Sequence, residues 1–206
     1  MSEPGSETDP RIELIERTTP FQGYFRVERY RLRHRRFDGG WTEVMSREVF
    51  ERGHAASILP YDPRADAVVL VEQFRAGALA AGMEPWLVEA VAGIIEAGEA
   101  PEAVVRREAR EEAGCEITAL EPIGRVLLSP GGCSETLTMY LGRVDSSGVG
   151  GVHGLAHEHE DIRAFVVPAK EALARLARAE YLNAPLVMSL QWLALNRERM
   201  RREWQT

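Results

Sequence analysis

Residues 92–115 read AGIIEAGEAPEAVVRREAREEAGC and combine a short glycine-containing loop with a glutamate-rich segment of helical character. Pro101 suits the first helical position, because the N–H that proline lacks would be unpaired there in any case. Gly114 suits the end of the helix, since glycine just past the last turn is the common stop. The sequence therefore predicts a helix that begins at Pro101 and ends at Gly114.

Three carboxylates are predicted to share one face of this helix. At about 100° per residue, Glu108, Glu111 and Glu112 fall within roughly 100° of arc. At pH 7 they repel one another unless a cation lies among them. Oxygen ligands at this density suit Mg²⁺ or Mn²⁺ far better than Zn²⁺. The alternative is an ordinary solvated face, which many glutamate-rich helices have.

The spacing of the residues around this face favours the metal site. Gly93 is followed after five residues by Glu99, and after seven more by the run Arg107-Glu108-Ala109-Arg110-Glu111-Glu112-Ala113-Gly114-Cys115. This pattern resembles the signature of the Nudix hydrolases at every fixed position. The resemblance implies an α+β fold, namely the Nudix αβα sandwich around a mixed β-sheet.

Composition limits the remaining possibilities. With 206 residues, of which 45% are hydrophobic, the chain is long enough for one domain with its own core, or one domain plus an extension. No apolar run approaches the roughly 20 residues that a membrane span needs. The two cysteines form no CxxC motif, which favours a reducing, cytoplasmic setting. A net charge of −7 argues against a general nucleic-acid surface.

The chain is predicted to begin with a disordered tail over residues 1–10 and an antiparallel β extension over residues 11–53. Within this extension we expect strands at residues 11–19, 23–36 and 41–50, with a hairpin turn at Asp38-Gly39-Gly40. The extension is rich in arginine and suits subunit contact better than chemistry. Residues 54–206 then form the predicted Nudix hydrolase domain.

Alternating and apolar patterns predict the elements of that domain. Strands are expected at residues 55–60, 67–74, 86–92, 117–128, 136–144 and 162–167, and helices after the carboxylate helix at 168–178 and 184–202. The Gly- and His-rich segment 145–160 shows no regular period, so we interpret it as a mobile loop. The predicted strand 86–92 leads directly into the glutamate loop, which lets the Ala92 carbonyl approach the carboxylates.

A second motif narrows the resemblance. Ser129-Pro130-Gly131-Gly132, with Pro130 fifteen residues beyond Cys115, resembles the mark of the ADP-ribose pyrophosphatase subgroup. The resemblance to bacterial members of this subgroup extends over most of the chain, with matching stretches at Gly23–Phe25, Phe50–His54, Val71–Arg75 and Glu158–Arg163. In that subgroup the metal ligands match the Ala92 carbonyl, Glu108, Glu112 and Glu160. The glutamate that matches Glu158 is the favoured general base, although Glu160 is the alternative.

Other residues receive supporting roles. Glu111 and Arg107 are assigned to catalysis beside the ligands, with Arg107 orienting the glutamates and Glu99 as its partner. The resemblance places Tyr24 against adenine, Arg47 and Arg75 at the substrate phosphates, and Glu135 at the ribose or adenine. Ser129, Gly131 and Gly132 join them as substrate-binding candidates. Hydrophobic packing for Tyr24 and surface ion pairs for the two arginines are the alternatives.

The resemblance implies Mg²⁺-dependent hydrolysis of ADP-ribose to AMP and ribose 5-phosphate by metal-activated water, with Mn²⁺ as a possible substitute. One alternative is a hydrolase of another nucleoside diphosphate compound, such as a nucleotide sugar or a dinucleotide. Another is a catalytically silent ADP-ribose sensor, which would not need all three helix glutamates. The family also implies a homodimer whose N-terminal sheets are exchanged, with neither nucleic-acid nor membrane partners.

Overall fold

The computed structural model describes residues 9–205, apart from the side chain of Ala156, and these residues fall into two units. One unit comprises the chain up to His54 together with Leu127–Thr136, and the other comprises Ala55–Val126 and the chain from Leu137 onward. Residues 1–8 of the predicted tail lie outside the described residues. Asp9 is described, and its carbonyl accepts the Ile12 N–H at 3.0 Å at the start of the first strand.

The first unit contains a three-stranded antiparallel sheet, with strands β1 (Ile12–Gln22), β2 (Arg26–His34) and β3 (Met45–Glu51) in that order. The predicted turn is confirmed, because Gly39 has a φ of +89° and the Gly40 N–H donates to the Asp38 carboxylate. Strand β1 runs past the predicted end at residue 19. A register shift between Thr18 and Phe21 accommodates Pro20 on this edge strand, where no ladder hydrogen bond is lost.

The second unit contains an eight-stranded mixed sheet with the order β10-β11-β5-β4-β9-β8, in which β6 pairs with β5 and β7 pairs with β4. Strands β4 and β9 are parallel, and β5 is antiparallel to β4, β6 and β11. The strands are β4 (His54–Asp62), β5 (Ala67–Phe74), β6 (Trp86–Glu89), β7 (Val91–Ile95), β8 (Ala119–Leu127), β9 (Thr136–Arg143), β10 (Gly151–His153) and β11 (Ile162–Pro168).

Helices cover both faces of this sheet. They are α1 (Ala76–Ala80), α2 (Pro101–Ala113), α3 (Ala169–Ala177) and α4 (Ala184–Trp204). On β5, Val69 and Val71 pack in the cluster that contains α2, whereas Val68 and Leu70 pack in the cluster that contains α3 and α4. This alternation follows from the two-residue period of a strand. The predicted α+β fold, an αβα sandwich around a mixed sheet with a separate antiparallel sheet, is confirmed.

Two predictions about the second unit were wrong. The expected single strand over residues 86–92 is two strands, because the chain leaves β5 at Glu89 and joins β4 at Val91. The segment 145–160 contains strand β10 and a short 3₁₀ turn at Ala156–Glu158. Strand β10 pairs with β11 through its backbone, so its glycine-rich sequence gives no side-chain period to recognise. Helix α1, a single short helix, was not predicted.

No helix in the described part of the chain is both long and apolar enough to cross a membrane.

Candidate active site

Helix α2 begins and ends as its sequence predicts. Pro101 lies in the first turn, and Gly114 terminates the helix with a φ of +63°. The N–H groups of Gly114 and Cys115 donate to the carbonyls of Arg110 and Ala109, at 3.1 Å and 2.8 Å, which closes the last turn. The Cys115 side chain is 1% exposed, and burial raises the pKa of its thiol to about 11, so it packs as a neutral hydrophobe.

Glu112 is the most buried carboxylate of the helix, with 3% of the residue exposed. Its Oε2 accepts the backbone N–H of Ala92 at 3.2 Å, which ties the helix to strand β7. Burial raises the pKa of Glu112 to about 8, and the nearby charge of Glu108 contributes in the same direction. The ionised carboxylate is therefore costly in the metal-free protein and would gain from a neighbouring cation.

Glu108 lies directly against Gly93 of strand β7. A Cβ atom at Gly93 would be 1.9 Å from Oε1 of Glu108, so a residue with any side chain would collide with this carboxylate. Burial also raises the pKa of Glu108 to about 7, although Arg107 favours the charged form. The glycine is thus needed for the close approach of strand and helix at the carboxylates.

Arg107 connects three carboxylates of the site. Its Nη1 donates to Glu108 at 2.7 Å and to Glu111 at 3.0 Å, while Nε and Nη2 donate to Glu99 at 3.3 Å and 3.4 Å. The predicted pairing of Glu99 with Arg107 is confirmed. Because one planar guanidinium holds both helix carboxylates and the loop carboxylate, it fixes their orientation.

The two loop carboxylates are arranged differently. Oε2 of Glu160 accepts the N–H of Leu155 at 3.1 Å, and its charge raises the pKa of both Glu108 and Glu112. The Glu158 side chain is 55% exposed and lies 3.5 Å from Nε2 of His157. The loop itself is joined to helix α2, since the Gly154 N–H donates to the Glu111 carbonyl at 3.2 Å.

Arg75 forms an ion pair with a residue that sequence reasoning missed. Its Nε and Nη2 both donate to Oε2 of Glu89, at 3.0 Å and 2.7 Å. Glu89 is 3% exposed and ends strand β6. The available signal was a single acidic residue within the apolar run Trp86–Ala92, where a solvated carboxylate is not expected.

The other predicted substrate residues, Tyr24, Arg47, Ser129, Gly131, Gly132 and Glu135, belong to the first unit. Tyr24 is 87% exposed, and its ring meets Phe25 edge-on at 4.7 Å between centroids. Arg47 is exposed and donates to the Ser46 carbonyl. Glu135 is buried and pairs with Arg52 at 3.0 Å. Gly132 is tied to strand β3, because its carbonyl accepts the Phe50 N–H.

The residues of the second unit fit a divalent cation. Glu112 is buried, the Glu108 side chain is only 13% exposed, and the pKa of each is raised, while Glu111 is held beside them by Arg107. Such a group of hard oxygen ligands suits a cation of the Mg²⁺ type. Among the described residues, no three side chains of His, Cys, Asp or Glu already form a metal-binding group. The assignment of the Ala92 carbonyl, Glu108, Glu112 and Glu160 as ligands stays a prediction.

The raised pKa values predict how the stability of metal-free protein depends on pH. Each carboxyl binds its proton more tightly when folded, so the free energy of unfolding should fall as pH rises from about 4.5 towards 8. In EDTA, Glu112→Gln should remove the largest part of this decline and stabilise the protein by up to about 4 kcal/mol at pH 8. Urea unfolding of the wild type and the variant at pH 5 to 8 measures the difference in the free energy of unfolding. If the two free energies changed with pH in parallel, burial would not be what makes ionised Glu112 costly.

With the geometry established, comparison with known proteins identifies the family. The family model for the NUDIX domain matches residues 51–189. The chain is 46% identical over 193 residues to the ADP-ribose pyrophosphatase of Escherichia coli strain K12, covering 94% of this chain and 92% of that protein. It is 33% identical over 187 residues to the GDP-mannose pyrophosphatase of Cronobacter sakazakii, covering 89% of this chain and 95% of the relative.

A crystal structure of an ADP compounds hydrolase has the same fold, with a TM-score of 0.69 at 19% identity, covering 98% of this chain and 100% of that one. The domain match covers more than half of the chain, and the identity to the curated relatives extends over nearly their full length. The chain belongs to the Nudix hydrolase family, and within it to the group of the ADP-ribose pyrophosphatases.

Proposed function

We propose that this chain is an ADP-ribose pyrophosphatase, which hydrolyses the pyrophosphate of ADP-ribose to AMP and ribose 5-phosphate with Mg²⁺ in its site. The observation that carries this proposal is the pair of buried Glu112 and largely buried Glu108, whose raised pKa values mean that their charged forms need a cation. The 46% identity to the E. coli ADP-ribose pyrophosphatase supports the choice of substrate.

The ligands that we propose for the cation are the Ala92 carbonyl, Glu108, Glu112 and Glu160. When bound, the cation neutralises charge on the phosphate oxygens and lowers the pKa of water. Arg107 holds Glu108 and Glu111 in place by the hydrogen bonds described above. Arg75 offers a cationic side chain for the pyrophosphate, since 42% of that side chain is accessible.

The reaction is one hydrolytic step. A water oxygen forms a bond to one phosphorus while the bond from that phosphorus to the bridging oxygen breaks. The water proton passes to a general base, for which the exposed Glu158 is our choice and Glu160 the alternative. The bridging oxygen stays with the other phosphate, so the products are AMP and ribose 5-phosphate and no covalent enzyme intermediate is formed.

Recognition of the two ends of the substrate is assigned to the first unit. Tyr24 offers an exposed aromatic ring for adenine, and Arg47 an exposed guanidinium for phosphate. Ser129, Gly131, Gly132 and Glu135 complete the proposed contacts. These roles account for an aromatic ring that is 87% exposed, an unusual position for a tyrosine that serves only in packing.

A substrate panel tests the proposed specificity. With Mg²⁺ present, we expect kcat/KM for ADP-ribose to exceed that for GDP-mannose by at least about 10-fold, a factor that a few pocket contacts can produce. GDP-mannose is the comparison because the next group of relatives is named for it. Dinucleotides and other nucleotide sugars complete the panel. If any of these compounds is turned over faster than ADP-ribose, that compound replaces ADP-ribose as the proposed substrate.

We further propose that the protein is a homodimer in which the N-terminal sheets are exchanged, so that Tyr24 and Arg47 serve the site of the neighbouring subunit. Neither Arg47→Ala nor Glu112→Gln should then retain activity alone. When the two variants are unfolded, mixed and refolded together, the activity per subunit should recover to at most about a quarter of the wild-type value, because only one of the two sites in a mixed dimer is intact. No recovery, or sedimentation as an active monomer, would rule out exchange.

A further inference from the structure

The ion pair between Arg75 and Glu89 has one buried end and one accessible end. The Glu89 side chain is 4% exposed, whereas the Arg75 side chain is 42% exposed. Both hydrogen bonds of the pair use Oε2 of Glu89, and they occupy Nε and Nη2 along one edge of the guanidinium. Among the described residues, none accepts a hydrogen bond from the third nitrogen, Nη1. The carboxylate of Glu89 thus holds one edge of the Arg75 guanidinium and leaves Nη1 to donate to a ligand.

Stability alone is a poor reason for a carboxylate at this position. A buried ion pair seldom stabilises a protein more than well-packed apolar residues would, because both charges lose their hydration. Val71, the cross-strand partner of Glu89 on β5, and Val91, two residues further along the chain, are apolar and fully buried. An apolar residue at position 89 would therefore match its surroundings. The carboxylate needs another explanation, which the position of Arg75 supplies.

Glu89 also lies at the point where the chain changes strands beside the carboxylate helix. It ends β6, and Val91 begins β7, whose Ala92 N–H bonds to Glu112. Arg75 is fixed to the same region by its backbone, since its N–H donates to the Pro85 carbonyl at 2.7 Å. Its guanidinium is near enough to Glu112 and Glu160 for their charges to act on it. The ion pair therefore borders the proposed cation site.

We propose that Glu89 is a positioning residue for substrate binding, which acts by holding the Arg75 guanidinium at the pyrophosphate subsite through two hydrogen bonds to one carboxylate oxygen. The inference rests on the proposed function, because it takes a nucleoside diphosphate as the ligand of Arg75. Glu89 does not touch substrate or metal in this role. Its effect depends entirely on Arg75, and this dependence distinguishes it from a structural residue.

The test compares Glu89→Gln, Arg75→Ala and the double variant in the full-length protein. Glutamine at position 89 keeps an acceptor oxygen but loses the negative charge that strengthens both hydrogen bonds, so we expect Glu89→Gln to lower kcat/KM for ADP-ribose by about 10- to 100-fold, mainly through KM. The double variant should equal Arg75→Ala within about twofold, because Glu89 has nothing left to orient. Affinity for the α,β-methylene analogue of ADP-ribose in EDTA, measured by calorimetry, should fall by a similar factor.

Arg75→Lys provides a variant that keeps Glu89 intact. Lysine retains the charge but cannot donate to Glu89 from one edge of a planar group, so we expect a loss close to that of Arg75→Ala. Wild-type kcat/KM in Arg75→Lys would overturn the inference. The inference would also be overturned if the losses of kcat/KM caused by Glu89→Gln and Arg75→Ala multiplied in the double variant. It would equally be overturned if Glu89→Gln had normal kcat/KM and normal affinity for the analogue.

Asp66→Asn is the matched control. Asp66 forms a partly buried ion pair with Arg197, joins the β4–β5 turn to helix α4, and has an αL backbone that asparagine tolerates. It should lower the melting temperature and leave kcat/KM within about twofold of wild type. If wild-type protein turns over no nucleoside diphosphate compound, the proposed function fails. If wild-type protein is active and Glu89→Gln matches it, only the role of Glu89 fails.

Discussion

Glu112→Gln is expected to lower kcat for ADP-ribose by about 10³-fold in Mg²⁺, while the protein stays folded. Loss of one ligand carboxylate removes several kcal/mol of charge stabilisation at the cation, and about 4 kcal/mol corresponds to that factor. Glutamine is nearly isosteric with glutamate, and its amide oxygen can still accept the Ala92 N–H that Glu112 accepts at 3.2 Å. Steady-state kinetics with circular dichroism of the same samples measure both parts of the prediction.

Glu116→Gln is the control for this variant. Glu116 lies just beyond the same helix, its side chain is 75% exposed, and its ion pair with Arg110 spans 3.8 Å. An exposed pair of this kind contributes little, so kcat should stay within about twofold of wild type. Near-normal turnover by Glu112→Gln beside an unaffected Glu116→Gln would show that Glu112 is not a ligand.

Gly93→Ala is the second change with a large expected effect. Its new Cβ atom would be 1.9 Å from Oε1 and 2.3 Å from Cδ of Glu108, so the carboxylate must leave its position. We expect kcat/KM to fall by about 10²-fold or more, and the Mg²⁺ concentration for half-maximal activity to rise, because a displaced ligand weakens the cation site. A Mg²⁺ titration of activity measures both quantities.

Gly77→Ala is the matched control, since a Cβ atom at Gly77 in helix α1 meets nothing within 4 Å. Alanine there should leave both kinetic constants and the Mg²⁺ requirement unchanged. Normal activity of Gly93→Ala would mean that Glu108 is not needed where the structure places it. The double variant Gly93→Ala with Glu108→Ala refines the result, because alanine at position 108 removes the atoms that the new Cβ would meet, so its activity should be no lower than that of Glu108→Ala alone.

The parts of the site that the sequence predicts are those within one helix and its preceding loop. Pro101 and Gly114 mark the ends of α2, and the helical period places Glu108, Glu111 and Glu112 together. The pairing of Glu99 with Arg107 could also be predicted, because loop and helix are adjacent in the chain. These features depend on local backbone geometry, which short sequence patterns encode well.

The features that the sequence did not reveal depend on contacts between distant segments. The pairing of Arg75 with Glu89 requires β5 and β6 to be neighbours in a known register, and the division at Ala90 requires β6 and β7 to pair with different strands. A run of apolar residues looks the same whether it forms one buried strand or two. The contact of Gly93 with Glu108 likewise follows from strand-to-helix packing, although the glycine itself could be read from the motif.

Product analysis of ADP-ribose turnover with and without a divalent cation tests most directly whether Glu108 and Glu112 form a hydrolytic metal site. Purified wild-type protein should yield AMP and ribose 5-phosphate in equal amounts with millimolar Mg²⁺. Excess EDTA should stop the reaction, and restored Mg²⁺ should resume it. Undiminished turnover in EDTA, or ADP-ribose left intact under both conditions, would contradict the assignment of Glu108 and Glu112 to a catalytic cation.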